Sequence, residues 1–235
     1  MRPLILGDGL LGSELIKQTG WNYISRKKDN IDFVIDFDQY LDKIYSTRCD
    51  VLVNCIANTD TYSKDREKHW KINYEYTSHL IDFCANEAIK LVHISTDYVY
   101  SNSSPFASED DVPVHCNNWY GYTKLLSDAY VQLIMKDYLL IRTSFKPRPF
   151  PYKTVVSQIG NFDYVDVIAT MIVDLINNNA SGIYNVGSET KTLYSLSRQT
   201  RNDTLWDLDK KVDESFPLNI TMNISKMKMI NNIKG

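Results

Sequence analysis

A glycine-rich turn close to the start constrains this chain more than any other stretch. Pro3-Leu4-Ile5-Leu6 is a short apolar strand that runs into Gly7-Asp8-Gly9-Leu10-Leu11-Gly12, and Ser13-Glu14-Leu15-Ile16-Lys17 then reads as an amphipathic helix. Three glycines spaced G-x-G-x-x-G between a strand and a helix are the signature of a βαβ unit that cradles a dinucleotide pyrophosphate. Gly7 allows the tight turn, Gly9 lets backbone approach the phosphates, and Gly12 lets helix and strand pack closely, with the helix N-terminus facing the anion.

The following segments continue the alternation of strand and helix. Residues 21 to 25 suit a second strand ending in Arg26-Lys27-Lys28, where an acidic residue would bind an NAD ribose and an arginine suits the 2′-phosphate of NADP. The pattern points to NADP, with NAD as the alternative. Asp32 to Phe37 suits a third strand, although the few residues before it are short for a parallel crossover. A helix at roughly 38 to 48, a strand over Asp50 to Ala57 and a long helix from 64 to 88 follow. Asn73 lies inside that helix, with a structural or proton-relay role as one reading and an ordinary exposed residue as the other. Further strands are expected at Lys90 to Ile94, Tyr138 to Thr143 and Gly182 to Ser188, and helices at Tyr120 to Lys136, Asp163 to Asn178 and Leu193 to Arg201. This order predicts an α/β fold, a doubly wound parallel sheet covered on both faces. Residues 1–145 form its dinucleotide-binding core. Residues 146–235 form a small C-terminal substrate-binding part that returns one strand and one helix to the core.

Chemistry concentrates between Ser95 and Lys124. Ser95-Thr96-Asp97-Tyr98-Val99-Tyr100 follows the strand at 90 to 94, and Tyr120-Gly121-Tyr122-Thr123-Lys124 opens a helix. Tyr120 and Lys124, four residues apart, share a helix face. A free phenol, with a pKa of roughly 10, is a poor proton donor at neutral pH; a nearby ammonium favours the phenolate and lowers that value. The pair therefore suits proton delivery to a carbonyl under reduction, with Thr96 holding the same oxygen. With 16 tyrosines in the chain, a Tyr-x-x-x-Lys spacing arises easily by chance, and its weight comes from the glycine turn. Phe145 to Lys153 is rich in proline and breaks regular structure. Its cations Lys146, Arg148 and Lys153 could meet a diphosphate, though a solvated loop fits the same residues.

Composition narrows the alternatives. Apolar residues make up 43% and charged residues 23% of the 235, ordinary for a globular chain. A net charge of −3 provides no general field for nucleic acid or membrane. No apolar run is long enough to span a bilayer, and Met1-Arg2-Pro3-Leu4 is no signal peptide. Cys49, Cys55, Cys84 and Cys116 lack metal or redox spacing and read as free thiols in a reducing, cytoplasmic compartment. No metal-ligand cluster is expected.

Together these motifs resemble an extended short-chain dehydrogenase/reductase, in particular the dTDP-4-dehydrorhamnose reductase group. The matching stretches are Gly7-x-Gly9-x-x-Gly12, Asp36-Phe37, Asn54 to Thr59, Asn73, Ser95 to Tyr100, Tyr120-x-x-x-Lys124, Ile141 to Ser144, Asp163 to Ala169 and Gly182 to Gly187. The resemblance implies that Gly7, Gly9, Leu10, Leu11 and Gly12 carry the pyrophosphate. Arg26, with Ser25 beside it, would meet the adenosine phosphate, Asp36 and Phe37 the adenine, and Ala57 and Asn58 would line the cofactor. Thr96, Tyr120 and Lys124 would be catalytic, with Tyr120 and Lys124 also on the cofactor. Thr59, Tyr98 and Phe145 match substrate-side positions, and Arg148 joins them from its loop. Related dehydratases carry Thr-Asp-Glu where this chain has Thr96-Asp97-Tyr98, which favours reduction over elimination of water. The implied activity is NADPH-dependent reduction of a 4-keto-6-deoxy nucleotide sugar in deoxysugar biosynthesis. The alternatives are a non-catalytic NADP-binding regulatory subunit, or an epimerase or epimerase-reductase with His115 and Cys116 shuttling protons. A homodimer is compatible with the group.

Overall fold

The computed structural model describes residues 1–115, 118–207 and 216–231. Its centre is a six-stranded sheet of β1 (Pro3–Leu6), β2 (Asn22–Ile24), β3 (Val51–Asn54), β4 (Lys90–Ile94), β5 (Tyr138–Thr143) and β6 (Gly182–Val186). The order is β6-β5-β4-β3-β1-β2, and every pairing is parallel. Parallel strands covered on both faces bury side chains in both directions. Ile5, Val53, Val92, Leu139 and Ile141 pack into one core and Leu4, Leu6, Leu52, Leu91 and Leu140 into the other.

Helix α1 (Leu10–Thr19) packs against α5 (Val165–Asn177) on the first face. Helices α2 (Phe37–Thr47), α3 (Tyr76–Asn86) and α4 (Trp119–Ile134) supply the second. The doubly wound sheet with flanking helices agrees with the sequence reading.

Two expectations are corrected. Asp32 to Phe37 is a turn. Asp32 Oδ1 accepts from the Val34 and Ile35 N–H groups, Asp36 Oδ2 accepts from the Asp32 N–H at 2.9 Å, and Phe37 opens α2. Two carboxylates bonded to neighbouring backbone outcompete an edge strand, and the connection is too short for a crossover. The sheet is thus the usual doubly wound order without its outermost strand. The long helix at 64 to 88 is composite: Arg66–Trp70 and α3 are joined by a π-turn, Lys71–Glu75, which carries Asn73.

Beyond β5 the chain leaves the sheet. Phe145–Lys146 pairs with Asp163–Tyr164, Thr154–Val155 with Leu205–Trp206, and Ile159–Gly160 with both Lys191–Thr192 and Asn219–Ile220. The segment expected to lack regular structure therefore starts as a short strand. Phe150, Val155, Phe162, Tyr164, Leu196 and Ile220 form a third core with Tyr98. Helix α5 and strand β6 return to the main sheet. Cys49, Cys55 and Cys84 are free thiols, and Cys116 lies outside the described residues.

Candidate active site

The site lies where β1, β3, β4 and β5 end at the carboxyl edge of the sheet. Gly7 has φ +89°, in the left-handed region that favours glycine. A Cβ on Gly12 would stand 2.1 Å from the Gly7 carbonyl oxygen, so helix and strand approach as closely as the glycine spacing requires. A Cβ on Gly9 would meet no protein atom within 4 Å. Helix α1 begins there without a side-chain cap, leaving its first N–H groups directed outward. Leu10 is exposed, whereas Leu11 is buried in the core beneath. This cradle fits a pyrophosphate.

The turn after β2 is built by Ser25, which is buried, accepts from the Lys28 N–H and receives Asp29 Oδ2 on its own N–H. Arg26 projects from it, largely exposed, and pairs with Asp32 at 3.5 Å. Asp36 caps α2. Phe37 is buried against Phe33 and Tyr76, and both Asp36 and Phe37 border a cavity of about 370 Å³ shared with Tyr76 and His79. Ala57 is half-buried, Asn58 is buried and Thr59 is exposed. Asn73 fixes this loop: its side chain accepts from the Asn58 N–H at 2.7 Å and donates to the Asn58 carbonyl at 3.0 Å and to Thr123 Oγ1 on α4. Its role here is structural. The side-chain amide nitrogens of Asn54 and Asn58 are buried without an acceptor among the described residues, as suits a wall facing a polar ligand.

Thr96 and Tyr120 are brought together. Thr96 caps the short helical turn Asp97–Tyr100 and donates to Asp97 Oδ1 at 3.2 Å. Asn118 caps α4 by accepting from the Gly121 N–H, and its amide also donates to the Thr61 carbonyl. These bonds aim the first turn of α4 at the Thr96 turn, where a Cβ on Gly121 would stand 3.2 Å from the Tyr98 carbonyl oxygen and Thr96 holds down the pKa of the Tyr120 phenol. The Tyr98 ring stands edge-on to Tyr120 at 5.8 Å. Burial raises the pKa of the Tyr98 phenol, with Gln158 opposing.

The electrostatics differ from the expected picture in one respect. Burial pushes the Tyr120 phenol up to about 12, with Thr96 opposing. Lys124 does not oppose that rise; its Nζ is bonded to His93 Nε2 at 3.0 Å. Burial lowers Lys124 to about 8 against the pull of Asp128. The phenol is thus held firmly protonated, as a donor must be, and is not pre-activated by the lysine. Beside Thr96, burial raises Asp97 to about 7, with Lys146 and Ser144 opposing.

Of the cations in the loop after β5, Lys146 has its Nζ 6.0 Å from the Phe162 ring centroid. Arg148 is paired with Asp166 at 3.0 Å and lies over the Tyr164 ring, and Lys153 is exposed. Phe145 packs against the core of the first face. His115 rests on the Tyr122 ring, and Cys116 lies outside the described residues.

Sequence reasoning missed three buried groups. His93 interrupts an otherwise aliphatic strand, and that interruption was its signal. Asp97 with Lys146 falls between a motif and a loop. Asp128 and Arg142 form a buried ion pair at 3.1 Å that no spacing announces. Among the described residues no helix is long and apolar enough to cross a membrane, and no group of acidic, histidine and cysteine side chains is arranged to hold a metal.

Residues 1–146 match a family model described as the RmlD substrate binding domain. A curated relative, the ADP-L-glycero-D-manno-heptose-6-epimerase of Brachyspira hyodysenteriae, is 26% identical over 116 residues, 49% of this chain. The chain spans about a third of that relative, 35% of its length. A solved structure described as a hypothetical dTDP-4-dehydrorhamnose reductase from Sulfolobus tokodaii superimposes with a TM-score of 0.83 at 25% identity, covering 98% of this chain and 94% of that one. The dTDP-4-dehydrorhamnose reductase of Bacillus anthracis in complex with NADP gives 0.81 at 20% identity, covering 97% and 91%, a likeness of fold.

Proposed function

From the premise that the chain belongs to the family of the RmlD substrate binding domain, we propose that it reduces the 4-keto group of a 4-keto-6-deoxy nucleotide sugar with NADPH. The observation that carries this reading is the packing of the first turn of α4, with Tyr120 on it and Lys124 one turn along, against the Thr96 turn, so that Thr96 opposes the rise in the Tyr120 pKa. Residues 1–145 act as the dinucleotide-binding core and 146–235 as the substrate part.

A reduced nicotinamide supplies the hydride when bound. Gly7, Gly9, Leu10, Leu11 and Gly12 hold the pyrophosphate at the start of α1. Ser25 and Arg26 take the adenosine 2′-phosphate, Asp36 and Phe37 the adenine, and Ala57 and Asn58 the inner wall. As charge develops on the substrate oxygen, Tyr120 gives up its proton and Thr96 stabilises that oxygen. A phenol held at about 12 keeps its proton until the oxygen becomes basic enough to take it. Lys124 binds the cofactor. Thr59, Tyr98 and Phe145 line the sugar, and Arg148 meets the diphosphate once released from Asp166. The absence of a glutamate at Tyr98 supports reduction over dehydration. The chemistry is that of a cytoplasmic small-molecule enzyme.

The test is incubation of purified protein with NADPH and a freshly prepared 4-keto-6-deoxy nucleotide sugar, with the product identified by mass. The proposal expects a sugar two hydrogens heavier. Cofactor binding without that product would support the regulatory alternative.

A further inference from the structure

Lys124 Nζ lies 3.0 Å from His93 Nε2, and both side chains are almost wholly enclosed, at 1% and 0% exposure. An ammonium can only donate, so Nε2 must present its lone pair, which requires a neutral ring with its proton on Nδ1. That Nδ1 is buried and has no partner among the described residues. Burial and the adjacent ammonium hold the ring well below its ordinary pKa, so it stays in this acceptor form. A leucine in this aliphatic strand would avoid the buried, unsatisfied N–H. The histidine therefore costs stability, and its contact with Lys124 is the compensation visible in the fold.

The other groups facing Lys124 do not replace it. Cys55, from the loop after β3, is a neutral thiol pushed up to about 12. Tyr120, on the same helix, is a protonated phenol. Asp128, one turn further along α4, favours the ammonium, but its carboxylate is bonded to Arg142.

We propose that His93 is a positioning residue that holds the Lys124 ammonium at the end of β4 and keeps it charged where burial would discharge it. The inference rests on reading Lys124 as the cofactor-binding lysine of the site. Its consequence is that cofactor binding depends on pH through Lys124, and that His93 sets where the dependence falls.

The experiment follows the lysine directly, in ligand-free protein with isotopically labelled lysine side chains. The signal absent from Lys124→Arg is titrated by NMR. In the wild type it should turn over near pH 8. In His93→Leu the midpoint should fall by about one pH unit or more, since the ammonium loses its acceptor while its burial remains. In His93→Gln, whose amide oxygen can accept, the midpoint should stay near the wild-type value. The loss of NADPH affinity with rising pH, read by fluorescence, should move with these midpoints. An unchanged midpoint in folded His93→Leu, or equal falls in both variants, would overturn the proposal. Nitrogen NMR of the wild type needs no variant: the Nδ1–H tautomer supports the assignment and the Nε2–H tautomer refutes it. Failure to reduce any keto sugar would sink the proposed activity but leave the lysine titration and NADPH binding as they are, so the two ideas fail separately.

Discussion

Replacing Arg142 by methionine should be among the most damaging single changes outside the glycine turn. Its guanidinium is 2% exposed, bonds Asp128 at 3.1 Å and the Tyr100 hydroxyl, and lies over the Tyr100 ring. Asp128 is fully buried, so Arg142→Met leaves a carboxylate without its bonded counter-ion and with only the more distant Lys124 ammonium to oppose its burial. Breaking a buried pair from one side costs about 3–5 kcal/mol. For a chain of this size each kcal/mol moves Tm by about 2–4 °C, so the fall should be roughly 6–20 °C. The pH dependence has a definite sign. Burial already raises the Asp128 pKa above its unfolded value, while Arg142 lowers it. A carboxyl with a raised folded pKa favours the fold below its unfolded value and loses that contribution as pH rises through the folded one. Removing Arg142 raises the folded value further, so the deficit should shrink as pH falls from neutral toward the carboxylate range. Scanning calorimetry of wild type, Arg142→Met and the double variant Asp128→Leu/Arg142→Met checks this. The double variant, which removes both charges, should recover much of the loss. A single-variant loss under about 1 kcal/mol, or a double variant no better than the single, would refute the reasoning.

Three further outcomes are expected. Gly12→Ala should abolish NADPH binding in a fluorescence titration, because its Cβ would collide with the Gly7 carbonyl oxygen at 2.1 Å; Gly9→Ala should weaken binding while leaving Tm unchanged, since its Cβ meets only space meant for ligand. Asn73→Ala should cost about 2–4 kcal/mol by calorimetry, because the buried Asn58 N–H and carbonyl both lose their partner. Arg26→Ala should reduce the preference for NADPH over NADH in paired titrations; an unchanged ratio would remove the exposed Arg26 guanidinium from the phosphate site.

Much of the fold was legible because parallel strands buried on both faces leave short aliphatic runs such as Leu4-Ile5-Leu6 and Val51-Leu52-Val53. The glycine turn was legible because backbone geometry dictates its residues. The false third strand shows the limit of such patterns. Phe33, Val34, Ile35 and Phe37 carry strand-like composition, yet Asp32 and Asp36 close a turn around them and leave Ile35 83% exposed. Thr96, Tyr120 and Lys124 stand out in the sequence because their spacing is local to two elements, and the structure packs the first turn of α4 on the Thr96 turn. What Lys124 touches could not be read. His93 lies 31 residues away on another element, and only the packing of α4 on β4 joins them. The same holds for Arg148, whose charge suggested a diphosphate but whose guanidinium is turned to Asp166.

The most direct test of the account is steady-state NADPH oxidation with a 4-keto-6-deoxy nucleotide sugar, comparing wild type with Tyr120→Phe. Removing the Tyr120 hydroxyl should lower kcat about a hundredfold or more, the scale for losing a positioned proton donor, while NADPH titration stays close to wild type because the glycine cradle is untouched. Near-normal turnover in Tyr120→Phe would contradict the account and place the proton donor elsewhere.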